Sequence, residues 1–183
     1  MNKSLGILLL VFLFAGQLAA QKYFSKTGEI SFFSDAPMED IQAKSNSAST
    51  VLDLATGKVQ WAVLIKSFEF EKALMQEHFN ENYMESHEYP KAQFKGEIVN
   101  IESLDLTKDG DYIGDVRGEL EIRGIKKPVE TKASFIVYKG KISAASELIV
   151  KVEDYNIEIP SIVRDKIAKQ IELTITAEYE KLD

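Results

Sequence analysis

Residues 68–96, FEFEKALMQEHFNENYMESHEYPKAQFKG, change their hydrophobic period twice. Phe68 and Phe70 alternate with Glu69 and Glu71, the two-residue period of a strand with one buried and one wet face. From Lys72 the spacing becomes helical: Leu74, Met75, His78, Phe79 and Tyr83 fall on one face, with Glu77, Asn80, Glu81 and Glu85 opposite. Pro90 ends that pattern, and Ala92, Phe94 and Gly96 alternate again. One amphipathic helix, over about 72–86, therefore interrupts a chain of strands, and its apolar face must lie against or across a sheet.

Outward from this stretch, period-two patterning dominates. On the C-terminal side, Tyr112, Gly114, Val116, Gly118, Leu120 and Ile122 face one way, with Asp115, Arg117, Glu119, Glu121 and Arg123 opposite. Glycines inside such a strand mark bends or close backbone approach, as a small closed barrel requires. Thr107-Lys108-Asp109-Gly110 and Lys126-Lys127-Pro128 read as turns. Val129 to Val137 and Ile142 to Val152 read as strands. A bend is expected at Glu153 and Asp154, a short helix capped by Ser161 runs to Lys169, and Ile171 to Tyr179 is the last strand. On the N-terminal side, two strand pieces flank Gly28. Ala43, Ser45, Ser47, Ser49 and Val51 then share an alternating face, either a small-residue inner wall or a polar edge. Val59, Trp61, Val63 and Ile65 follow, with a bulge expected near Lys66 and Ser67 to turn the phenylalanines inward. Eight or nine strands at these spacings favour an antiparallel barrel or sandwich.

At 183 residues the chain suits one domain. Residues 1–20 read as a signal peptide: Lys3, an apolar run from Leu5 to Ala15, and Leu18-Ala19-Ala20 before Gln21. The run is shorter than the roughly 20 apolar residues of a membrane span, so residues 21–183 are expected as a soluble, exported domain with no stable membrane insertion. Cysteine is absent, which excludes disulfides, thiol nucleophiles and thiolate metal sites. Lys3 is the only charged residue before Gln21, so its removal takes the formal charge from −7 to −8. That sign argues against nucleic acid or an anionic membrane surface as a partner. His78 and His87 lie in no spacing that sets a base beside a nucleophile or metal. Glu77, Glu81 and Glu85 read as a solvated stripe rather than a cation site. No enzyme is expected.

The blocks YPKAQFKGEI (89–98), GELEIRGIKKPV (118–129) and KVEDYNIEIP (151–160), with the last alternating strand, resemble the YceI-like family of exported, polyisoprenoid-binding proteins. The resemblance runs from Gly28 to Tyr179. It implies an eight-stranded antiparallel, lipocalin-like barrel, with the amphipathic helix inserted between strands, a short helix before the last strand, and an apolar tunnel for an isoprenoid chain. It also implies a non-covalent polyprenyl or quinone-like lipid as ligand, no other cofactor, and a periplasmic or extracellular address. Phe68, Phe70, Phe79, Tyr83, Phe94, Phe135 and Tyr155 would line or close the tunnel, and Met75 and Met84 would adapt to the tail's kinks. His78 is either a core histidine bonded to a carbonyl or a donor to the head group. At about 0.8 kcal/mol per buried carbon group an isoprene unit contributes roughly 4 kcal/mol gross. Association costs about 4–15 kcal/mol, so several units must be buried. The alternative is a ligand-free interaction module whose aromatics fill the barrel, with Arg123, Lys126 and Lys127 as a further candidate anion patch. A homodimer stays open in either case.

Overall fold

A computed structural model describes residues 22–182; the expected signal peptide lies outside them. Nine strands alternate along the chain: β1 (Lys22–Ser34), β2 (Ile41–Asp53), β3 (Lys58–Leu64), β4 (Glu69–Phe70), β5 (Lys91–Ile98), β6 (Gly110–Ile122), β7 (Ile125–Tyr138), β8 (Lys141–Lys151) and β9 (Gln170–Lys181). All neighbours pair antiparallel in the order β1-β9-β8-β7-β6-β5-β3-β2, and the β1–β2 ladder closes the ring into an eight-stranded barrel. The two-residue β4 only extends β2 beyond β3, pairing Phe70 with Ala43.

The registers divide the barrel's two ends. Lys22 opposes Asp53, Lys58 opposes Glu97, and Tyr138 opposes Lys141, so segments 54–57, 99–109 and 139–140 share one end. Ser34 opposes Ile41, Leu64 opposes Lys91, and Lys151 opposes Gln170. The other end therefore carries segments 35–40, 65–90 and 152–169. Tyr23, Leu52, Leu106, Val137, Ile142 and Ala177 are buried in one cluster that packs the first end shut.

Why the chain curls so tightly is visible at Gly96 and Gly118, which oppose each other on β5 and β6. A Cβ on Gly118 would lie 2.6 Å from the Gly96 Cα and 2.7 Å from the Phe94 ring, and would also strike the Lys95 carbonyl. The missing side chains let the tip of the Phe94 ring lie over this pair. Gly118→Ala is expected to cost about 2–3 kcal/mol, because two of the three obstacles are backbone and cannot rotate away. Urea midpoints check this: Gly118→Ala should cost less in a Phe94→Ala background than in the parent, by only the part owed to the ring.

Several local expectations are corrected. The β6–β7 connection is the two-residue turn Arg123-Gly124, with φ of 50° and 70°, as a type I′ hairpin demands; Lys126, Lys127 and Pro128 lie inside β7. The chain before β4 turns through a single 3₁₀ turn, Ile65–Ser67, rather than a bulge. The strand expected from Lys91 to about Leu104 ends at Ile98, because segment 99–109 carries a 3₁₀ turn at Ile101–Ser103. Of the helix expected from Ser161 to Lys169, only a 3₁₀ turn over Ser161–Val163 forms. The β1–β2 register shifts on both sides of Gly28, which reverses β2's inward face. Ala43 and Ser45 are buried above the shift and Ala48, Thr50 and Leu52 below it, while Ser47, Ser49 and Val51 face solvent. The small residues leave no gap, because the Trp61 ring lies where a Gly28 Cβ would meet it at 2.8 Å.

Candidate functional site

The expected helix is in two parts: α1 (Ala73–His78), then a π-helical turn over Phe79–Tyr83. The Met84 N–H bonds to the Phe79 carbonyl at 2.8 Å, a five-residue closure that adds Met84 to the side already holding Met75 and Phe79. This side lies across the open end of the barrel. Phe79 anchors it, its ring centroid 5.5 Å from Phe32, 5.8 Å from Phe68 and 5.0 Å from Phe70. Phe68 in turn is buried against Ala43, Ala48 and Val63.

Beneath the helix is a cavity of about 580 Å³ that runs down the barrel axis. Its walls come from all eight barrel strands: Ile30 and Phe32; Ile41 at the start of β2; Val59, Trp61 and Val63; Phe94; Val116, Leu120 and Ile122; Val129, Ala133 and Phe135; Leu148 and Val150; Leu173, Ile175 and Tyr179. Apolar side chains dominate throughout. The charged or titratable nitrogen and carboxylate groups that touch it, Glu39, Lys72, His78 and Lys166, all come from the segments of the open end.

Three of those segments are tied to one another around the mouth. Lys72 Nζ donates to Glu39 Oε1 at 2.7 Å, the Met38 N–H to the Asp165 carbonyl at 3.0 Å, and the Ala168 N–H to Ser34 Oγ at 2.9 Å. The bond from Lys72 holds the Glu39 carboxyl below the ordinary carboxylate value, and the charge of Lys166 adds to the lowering. Lys72 is raised in return. At the far end, the Tyr179 hydroxyl is buried and lies 2.9 Å from Thr50 Oγ1. Burial pushes the Tyr179 phenol up to about 12, hydrogen bonds with Thr50 and Trp61 opposing it.

That shift has a sign. The neutral phenol is the form the fold accommodates, so its contribution is fully present below the ordinary tyrosine value near 10 and is lost as pH rises from there through about 12. Two units correspond to a loss on the order of 2–3 kcal/mol. Tyr179→Phe should cost about 1 kcal/mol at neutral pH, from the orphaned Thr50 hydroxyl. Its urea midpoint should also fall less between pH 9 and pH 11 than that of the parent.

Of the ten residues expected at the site, nine line this cavity: Phe68, Phe70, Met75, His78, Phe79, Tyr83, Met84, Phe94 and Phe135. His78 is exposed at the mouth and is not a core histidine. Tyr155 is brought elsewhere. The β7–β8 ladder stops at Ala133 and Ser146, and towards the open end the two strands part. Tyr155 is buried there with Leu120 and Val150, against Val129 and Leu148, as a seal in the wall. Ile30, Phe32, Trp61, Leu148, Ile175 and Tyr179 line the cavity beyond that set. Their alternation on strands was the available signal.

Arg123 is committed to the fold. Its Nη2 donates to Glu85 Oε2 at 2.6 Å, its Nη1 to the Asn156 carbonyl, and its guanidinium stacks 5.8 Å from the Tyr89 ring. The clamp joins the end of the helical segment to the β6–β7 turn and segment 152–169. It leaves no free guanidinium for an anion patch with Lys126 and Lys127. Among the described residues no three histidine or carboxylate side chains converge as a metal site, and no helix is long and apolar enough to cross a membrane.

A closed eight-stranded barrel with an apolar axial cavity and a helix over its mouth defines a lipocalin-like protein. Residues 21–179 match the YceI-like domain, and the chain belongs to that family. Similar solved structures are a polyisoprenoid binding domain from Saccharophagus degradans implicated in plant cell wall breakdown, BcnA of Burkholderia cenocepacia, and a YCEI protein of Campylobacter jejuni. The first has a TM-score of 0.77 at 16% identity, covering 89% of this chain and 99% of that one. BcnA has 0.68 at 17%, covering 84% and 96%. The Campylobacter protein has 0.58 at 19%, covering 77% and 84%. At such identities the likeness is one of fold. No curated protein sequence matches the chain.

Proposed function

We propose that the cavity holds a long-chain isoprenoid-type lipid, polyprenyl or quinone-like, and that the protein is an exported, periplasmic binder that carries, stores or sequesters it. One observation carries the reading: a cavity of about 580 Å³, apolar along its depth, whose charged groups come only from the segments at its mouth. Such a site favours a long apolar tail with its head at the opening. Its volume lies within the roughly 300–1,000 Å³ of small-molecule sites. The similar barrel from Saccharophagus degradans is a polyisoprenoid binding domain, which supports the same ligand class. The nine aromatic, methionine and histidine residues named above are the proposed contacts, Met75 and Met84 adapting to the tail. We read the protein as a binder and not an enzyme, because no nucleophile lies beside a base in the cavity and both histidines are exposed.

Native mass spectrometry of the gently purified protein, followed by organic extraction, tests this. A mature chain beginning at Gln21 that carries a solvent-extractable species of polyprenyl or quinone mass is the expected result. A mass that stays that of the protein alone, even after exposure to such lipids, overturns the reading in favour of a ligand-free interaction module.

A further inference from the structure

We infer that the floor of the barrel measures tail length: the site takes an isoprenoid tail of about four to five units, and Phe135 sets where the tail stops. This rests on the lipid reading above and adds to it the length of the chain. The lining ends at one level across the barrel. Val59, Ile98, Val116, Phe135, Ala144 and Tyr179 are its deepest residues. Val137 and Ile142, the next inward positions beyond Phe135 and Ala144, are buried in the packing of the closed end and do not line it. Two of the six floor residues carry large rings that are held in place. The Tyr179 hydroxyl lies 2.9 Å from Thr50 Oγ1. Phe135 is 4% exposed, and its ring lies over Gly114 of β6, where a Cβ would meet it at 3.0 Å. The glycine gives the ring its place across the floor.

The length follows from the volume. A cavity of about 150 Å³ holds a benzene molecule, about 25 Å³ per carbon, so about 580 Å³ holds about 23 carbons, or about four to five isoprene units of five carbons each. A shorter tail leaves part of the apolar wall without contacts. A longer one must leave units outside, because the floor is packed and Tyr155 closes the parting of β7 and β8. Those units emerge at the mouth, beside Glu39, Lys72 and Lys166, where water meets them. Changes at the floor translate into carbons. Phe135→Ala removes a six-carbon ring, about one isoprene unit. Ala144 opposes Phe135 across the β7–β8 ladder, and Ala144→Leu adds a three-carbon branch at the same level.

Competition from micelles tests the inference. The mature protein, freed of lipid in detergent, is offered an equimolar mixture of all-trans prenyl alcohols of three, four, five, six and nine units in the same micelles. The bound alcohols are then extracted and identified by mass spectrometry. Every unit is already in apolar surroundings in the micelle, so the bound profile reports fit rather than hydrophobicity. The parent profile should peak at four and five units, with the nine-unit alcohol depleted about tenfold or more. Phe135→Ala should move the peak up to five and six units. Ala144→Leu should move it down towards three and four, and supplies the test if the alanine variant does not fold. A flat profile, an excess of the nine-unit alcohol, or a peak that neither floor variant moves overturns the length inference and leaves the lipid reading standing. Binding of no alcohol at any length removes the lipid reading itself, and the length inference with it.

Discussion

Tyr155→Ala should lower the free energy of unfolding by about 4 kcal/mol, the range for truncating a fully buried aromatic. Tyr155 is 2% exposed and sits where β7 and β8 cease to pair, packed with Leu120 and Val150 and against Val129, Leu148 and Ile157. Two features make the site unable to collapse. The strands on either side are held further along by the Ala133–Ser146 pairing, and the cavity lies directly behind the wall. Its hydroxyl adds little, at 3.5 Å from the Leu120 carbonyl, so Tyr155→Phe should cost under about 1 kcal/mol. Urea unfolding of the two variants separates these contributions. A loss below about 1 kcal/mol for the alanine variant would mean the wall closes without its seal.

Phe79→Ala should leave the barrel folded and release bound lipid about tenfold faster or more. Phe79 is the meeting point of three aromatic pairs, with Phe32, Phe68 and Phe70, each worth about 0.5–1.5 kcal/mol beyond simple burial. None of the helix's residues from Ala73 to Tyr83 is fully buried, so little else holds its middle over the mouth. Its far end is clamped by Arg123 to Glu85 and the Asn156 carbonyl, and its start by Lys72 to Glu39. The barrel ladders do not pass through it, so far-ultraviolet circular dichroism should be nearly unchanged. Tyr83→Ala should act in the same direction and more weakly, since Tyr83 belongs to none of the aromatic pairs. Retention is read as the decay of bound lipid on dilution into empty vesicles. Unchanged retention in Phe79→Ala, with the fold intact, would show that the helix is wall and not lid.

The strands and the helix are legible because their periods are local. Tyr112 to Ile122 announces its inward face within eleven residues, and Phe68 to Gly96 announces a helix between strands by two changes of spacing. The cavity-facing set is largely legible for the same reason: alternation sends Phe94, Phe135 and Phe68 inward wherever a barrel closes on itself. Legibility ends where the period breaks. Beside Gly28 the register shift turns Ser47 and Ser49 out and Ala48 and Thr50 in, and alternation counted across it gives the wrong face beyond it. Composition favours a turn at Lys126-Lys127-Pro128, but the hairpin takes the two positions where φ is positive, Arg123 and Gly124.

By itself the sequence determined a count of eight or nine strands, the antiparallel class, the inserted helix and an interior rich in aromatics, because each is written in spacings of two or of three to four residues. Only the tertiary structure decided which aromatic is lining and which is wall. Tyr155 and Phe135 are both buried, and nothing in their neighbours' spacing distinguishes them. The difference arises where the β7–β8 ladder ends, a property of how eight strands tilt to close a ring. The same closure gathers Glu39, Lys72 and Lys166 from three distant segments onto one mouth, since strands of similar length return their connecting segments to the same two ends.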